Sequence, residues 1–122
     1  MAVASAIGND LVHIPSFSAA FSDRFKARVY STEEIGQIEQ YRADPRVRYA
    51  TTWAAKEAVF KALRQLCGQP LGLCWKDIVI FRDGAIPKVM IGKEKFHRFT
   101  FSLSLSHDGD YAAAVVIASL DE

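Results

Sequence analysis

The chain has 122 residues, half of them hydrophobic, and its 15 Lys and Arg against 14 Asp and Glu leave a net charge of +1 at neutral pH. That length and apolar content provide for one compact domain over residues 1–122 and exclude a disordered chain. The balanced charge, with no long basic run, excludes a nucleic-acid footprint, so any anion site must be local.

Val3 to Ile14 is β-branched and apolar around Gly8 and Asn9, which predicts a first strand in which the glycine permits close backbone approach. Asp10 lies inside it. Pro15 ends the strand, and Ser16 or Ser18 caps a helix to about Val29, with Phe17, Phe21 and Phe25 along one face and Arg24, Lys26 and Arg28 near its end. Ser31 and Glu34 have the form of a capping box, predicting a second helix to about Arg42. Asp44 and Pro45 open a long helix that runs to about Cys67, before the loop marked by Gly68, Pro70 and Gly72. Asp77 to Arg82 and Lys88 to Ile91 read as strands joined at Asp83 and Gly84. Thr100 to His107 alternates, with Phe101, Leu103, Leu105 and His107 on one face and serines on the other. Asp108 and Gly109 form a hairpin signal, and Tyr111 to Ala118 is apolar enough to predict burial on both faces. The fold class is therefore α+β, an antiparallel sheet packed with a long central helix.

Cys67 and Cys74 lack zinc-like companions and read as reduced structural thiols. Met1 to Gly8 lacks the basic start and long apolar core of a signal peptide, and no run approaches the length of a membrane span. The expectation is a soluble, cytoplasmic protein that makes no membrane contact.

The segment WAAKEAVFKAL, Trp53 to Leu63, carries the strongest functional signal. Helical spacing puts Trp53, Phe60 and Cys67 on one side, with Leu63 at the margin, and points Lys56 and Glu57 into or beside that arc. A carboxylate there needs a cation, a donor or a cleft to compensate lost hydration. Two readings stand at this point: a bound group beside Glu57, or a solvated Glu57–Lys61 pair worth about 0.3–0.5 kcal/mol. Asp10 and His107 are further titratable residues set into apolar strands. If Asp10 and Glu57 converge, they suit Mg²⁺, which keeps waters and completes its shell with phosphate oxygens. Lys61, one turn beyond Glu57, is placed to hold a phosphate oxygen, and the implied chemistry is phosphoryl transfer.

IGNDLVHI, WAAKEAVFKAL and SLSLSHDGDYAAAVVI, in this order and spacing, resemble the short holo-acyl-carrier-protein synthases, members of the 4′-phosphopantetheinyl transferases. The resemblance covers nearly the whole chain and implies an enzyme that moves phosphopantetheine from coenzyme A to a serine of an apo acyl carrier protein, releasing adenosine 3′,5′-bisphosphate. It implies Asp10 and Glu57 as ligands of Mg²⁺, with Lys61 and His107 at the phosphates of coenzyme A. The acceptor serine attacks the β-phosphorus in line, and its proton passes to Glu57 or to a water on the metal. The resemblance further implies a homotrimer with sites between neighbouring subunits. By position it carries over Gly68, Gly84 and Pro87 as cofactor contacts and Arg24 and Arg28 as contacts to the carrier protein.

The sequence departs from the family pattern at RQLCGQPLG, where a glycine-rich turn is usual, at Thr52, where an arginine is common, and at PSFSAAF, which lacks basic residues. The last departure points to a carrier domain other than the usual fatty-acid one. Two other functions fit parts of the pattern: a non-catalytic relative that binds carrier protein or coenzyme A, and a metal-dependent diphosphate hydrolase. Asp10, Glu57, Lys61 and His107 together favour activity over the first. The lack of a dedicated base for water disfavours the second.

Overall fold

The computed structural model of the protein describes residues 3–40 and 44–121. β1 (Val3–His13) leads into α1 (Ile14–Ala20) and α2 (Asp23–Val29), then α3 (Thr32–Glu39) and the long α4 (Pro45–Cys67). β2 (Ile78–Asp83), β3 (Ile86–Ile91), β4 (Phe99–Asp108) and β5 (Tyr111–Asp121) follow. All pairing is antiparallel and falls in two sheets, one ordered β1-β5-β4 and the other the β2-β3 hairpin. The α+β class with a long helix on an antiparallel sheet is therefore the observed architecture.

α4 packs on the three-stranded sheet through a column of fully buried small residues, Ala50, Ala54, Ala58 and Ala62. Small side chains at every fourth position let the helix axis come close to the strands. Gly8 completes this approach, because a Cβ added there would lie 1.8 Å from the Ala58 carbonyl oxygen. Gly8→Ala must force β1 and α4 apart, and we expect a loss of about 3 kcal/mol or more in denaturant unfolding. A loss under about 1 kcal/mol, the range of a mild glycine substitution, would show that the contact yields easily.

Lys56 lies on the other side of α4 and has no exposed side-chain surface. Its Nζ stands 2.8 Å from Glu34 Oε1 and donates to the carbonyl oxygens of Trp75 (2.8 Å) and Ile78 (2.6 Å). Glu34 is equally buried and also accepts from the backbone N–H groups of Ser31 (2.8 Å) and Ile80 (2.8 Å). Burial pulls the Lys56 pKa down, and the Glu34 carboxylate opposes it. Every donor of the ammonium is therefore spent inside the protein, tying α3, α4 and β2 together.

Several expectations are corrected. The helix expected from Ser16 or Ser18 to Val29 is two helices, broken at Phe21 and Ser22, where Ser22 accepts from the Phe25 N–H to cap α2. α1 begins before Pro15, capped by the His13 ring, and the proline occupies its first turn. The Ser31–Glu34 capping box forms, but α3 ends at Glu39, and the expected end at Arg42 lies outside the described residues. Both hairpin loops shift by one residue, to Gly84-Ala85 and Gly109-Asp110. Each glycine takes the first loop position, with φ of +64° and +56°, where two-residue hairpins need a left-handed residue. Cys67 is exposed instead of joining the buried arc. β5 is buried only on the face of Ala112, Ala114, Val116 and Ala118, while Tyr111, Val115 and Ile117 on its other face are exposed.

Candidate active site

Along β1, Gly8, Asp10 and Val12 share the face that meets α4, so the close approach at Gly8 brings Asp10 to the helix. Glu57 and Lys61 stand one turn apart on the facing side of α4. Lys61 Nζ lies 3.1 Å from Asp10 Oδ1 and donates to the Asn9 carbonyl oxygen at 3.0 Å. Only 9% of the Asp10 side chain is exposed, against 49% of Lys61. Gln65, one further turn along, donates to the Ile7 carbonyl oxygen at 2.9 Å, so α4 also covers the free edge of β1.

Burial pushes the Glu57 carboxyl up to about 7, aided by a hydrogen bond with Asp10 and by the Asp10 charge, while Lys61 works the other way. The Asp10 carboxylate beside it thus opposes the ionisation of Glu57, and the Lys61 ammonium offsets only part of that opposition. Because the folded-state pKa exceeds the ordinary 4.5, the stabilisation from proton uptake is complete below pH 4.5 and is lost as pH rises through about 7. In chelator, the melting temperature of the wild type should therefore fall across that window relative to Glu57→Gln. Parallel pH profiles for the two proteins would contradict a raised Glu57 pKa.

Among the described residues, no three His, Cys, Asp or Glu side chains group as a metal-binding cluster. Asp10 and Glu57 stand as a pair, a donor set that leaves other coordination positions to water and to ligand oxygens.

His107 sits elsewhere. It ends β4, paired with Ala112 of β5, whereas Asp10 pairs with Ala114 on the opposite side of that strand. The two side chains thus share a sheet face with β5 between them, two strand spacings across and two residues along the sheet, roughly 12 Å apart. His107 lines a separate cleft of about 390 Å³ with Arg48 and Thr51 of α4, Arg82 and Pro87 of the hairpin, and Ser104 and Ser106. Gly84 is at the hairpin tip, and its neighbour Ala85 reaches the cleft. Sequence reasoning missed Arg48 and Arg82, whose proximity to His107 depends on how the hairpin folds against the start of α4.

Gly68 caps α4 beyond a shallow shelf formed by Lys61, Arg64, Gln65 and Gln69. Arg24 and Arg28 are exposed on α2. Beside them Phe17, Phe21, Phe25 and Trp53 line an apolar cleft of about 170 Å³, and Trp53 precedes Glu57 by one helical turn. The spacing of the three phenylalanines exposed that face in the sequence, but not its contact with Trp53.

The profile of the 4′-phosphopantetheinyl transferase superfamily matches residues 6–116. The holo-[acyl-carrier-protein] synthase of Wolbachia sp. subsp. Drosophila simulans is 38% identical over 117 residues, covering 91% of this chain and 94% of that protein. Among solved structures, the ACPS–CoA complex of Chronobacterium ammoniagenes superposes with a TM-score of 0.83 at 27% identity, covering 98% of this chain and 99% of the other. The Helicobacter pylori holo-[acyl-carrier-protein] synthase in complex with coenzyme A does so with a TM-score of 0.76 at 32% identity, covering 92% and 98%.

Proposed function

The chain belongs to the 4′-phosphopantetheinyl transferase superfamily, with holo-[acyl-carrier-protein] synthases as its relatives, and we propose that it transfers 4′-phosphopantetheine from coenzyme A to a serine of an apo acyl carrier protein by an Mg²⁺-dependent route. The observation that carries the metal reading is the Asp10–Glu57 pair, two carboxyl groups brought within interaction distance where β1 meets α4. Oxygen donors, one or two carboxylates and room for water and phosphate oxygens fit Mg²⁺. When bound there, Mg²⁺ supplies positive charge to the coenzyme A diphosphate.

Lys61 holds a diphosphate oxygen from its place one turn beyond Glu57. His107, with Arg48 and Arg82 in the same cleft, takes the phosphate on the ribose, and Gly84 and Pro87 border the adenine. The serine hydroxyl of the carrier attacks the β-phosphorus. A new P–O bond forms, the bond to the bridging oxygen breaks, and adenosine 3′,5′-bisphosphate leaves. A carboxylate whose pKa is raised to about 7 is, in its ionised form, a competent acceptor for the serine proton, and we assign that step to Glu57. The carrier docks along the aromatic cleft of α1, α2 and Trp53, with Arg24 and Arg28 meeting its acidic side chains. Gly68 lets the end of α4 approach the cofactor.

His107 and the carboxylates lie on opposite flanks of α4 within one chain, which supports an active site completed between neighbouring chains of a homotrimer. The outer sheet face supports the same reading. Leu11 (65% exposed) and Ile117 (45% exposed) lie there with Ile7, Tyr111 and Val115, a contiguous apolar surface of the kind that marks an interface. We expect the wild type to sediment as a trimer and Ile117→Asp as a folded monomer without transfer activity. A monomeric protein with full activity would remove the shared site. No described helix is long and apolar enough to cross a membrane, and we place this single transferase domain in the cytoplasm.

The test is to incubate the protein with coenzyme A, Mg²⁺ and a panel of apo carrier proteins and to follow intact mass. Gain of one phosphopantetheine, lost in chelator, is the expected result. Binding without mass gain would identify a non-catalytic relative, and cleavage of coenzyme A without a carrier would identify a diphosphate hydrolase.

A further inference from the structure

Lys61 faces two demands that a single ammonium cannot meet at once. In the structure it lies on Asp10 Oδ1 at 3.1 Å and on the Asn9 carbonyl oxygen at 3.0 Å, so it neutralises the carboxylate side of the site. The transfer reaction needs the same charge on the diphosphate. A primary ammonium carries three donors and one positive charge; two of those donors are already engaged, one of them on the Asp10 carboxylate that a cation would take.

We propose that Lys61 is the exchangeable counter-ion of the carboxylate pair: it occupies Asp10 in the metal-free enzyme and is released to the coenzyme A diphosphate when a divalent cation replaces it. The inference rests on the metal reading above. Three features of the chain suit the exchange. Half of the Lys61 side chain is exposed while Asp10 is nearly covered, so the lysine is the partner free to move. Its flexible stem leaves α4 beside the open, solvent-facing shelf of Arg64, Gln65 and Gln69, so the ammonium has room to swing away from Asp10. Gln65 holds the Ile7 carbonyl oxygen independently, so the free edge of β1 stays partly covered after Lys61 departs.

The exchange couples the two ligands. Lys61 opposes cation binding in the free enzyme, and its release raises affinity for coenzyme A, so each ligand must tighten the other by the same factor.

The experiment titrates Mn²⁺ into wild type, Lys61→Met and Lys61→Arg at pH 8, reading free Mn²⁺ by electron paramagnetic resonance. Coenzyme A affinity is then measured by calorimetry with and without Mn²⁺. Lys61→Met should bind Mn²⁺ about tenfold more tightly than wild type, within the usual range of coupling between sites, while Lys61→Arg stays weak. The tightening of coenzyme A by Mn²⁺ should shrink in Lys61→Met. Equal Mn²⁺ affinity in wild type and Lys61→Met, or an equal gain in Lys61→Arg, overturns the exchange and leaves the metal site standing. Mn²⁺ uptake by none of the three proteins overturns the metal reading itself.

Discussion

Lys56→Ala should cost the protein about 3–5 kcal/mol of stability, the scale for removing one partner of a buried ion pair. The truncated side chain would leave the Glu34 carboxylate buried with only the Ser31 and Ile80 N–H groups, and the carbonyl oxygens of Trp75 and Ile78 without their donor. Against the roughly 5–15 kcal/mol typical of a domain, such a loss removes a large share of the stability. Replacing both charges, as in Glu34→Leu with Lys56→Met, should recover part of the loss, because no uncompensated charge remains. Recovery stays partial, since Glu34 also closes the capping box of α3 and holds Ile80 of β2. Urea unfolding of the two variants checks both statements. A Lys56→Ala cost under about 1 kcal/mol, the scale of a surface pair, would mean that the pair contributes little.

The neighbouring residues Lys56 and Glu57 show how far sequence reasoning reaches. Helical periodicity flags both as charges beside an apolar arc, and it cannot tell them apart. Their difference is made by partners distant in sequence: Glu34 and two carbonyl oxygens surround Lys56, while Asp10 faces Glu57. The capping box at Ser31 was legible because its hydrogen bonds are local. The second use of Glu34, reaching across to Ile80 and Lys56, was not. Likewise Gly8 was legible as a place of close approach, but the helix that approaches is fifty residues away. The apolar β5 was read as buried on both faces, but its outer face is exposed in the chain, because composition alone does not tell whether a second layer covers a strand. The break between α1 and α2 was hidden because the phenylalanine spacing continues across it while Ser22 restarts the hydrogen bonding.

Glu57 should behave in the opposite way to Lys56. A carboxyl half-buried against Asp10 is a poor choice for stability, and the proposed function accounts for it as a group held for chemistry at the cost of the fold. Glu57→Gln retains the shape and removes the like-charge repulsion. On the proposed function it also removes a carboxylate from the metal site and the acceptor for the serine proton. Transfer should fall by about a thousandfold or more, equivalent to about 4 kcal/mol of lost transition-state stabilisation. Asp10→Asn should follow it in activity, though its partner Lys61 then loses an ion pair.

The most direct measurement is a side-by-side comparison of Glu57→Gln and wild type in chelator for melting temperature at pH 8, and with Mg²⁺ for phosphopantetheine transfer by intact mass. The expected result is a melting temperature equal to or above that of wild type, together with loss of transfer. Retained transfer, or a melting temperature that collapses along with it, would contradict the assignment of Glu57 to the reaction rather than to the fold.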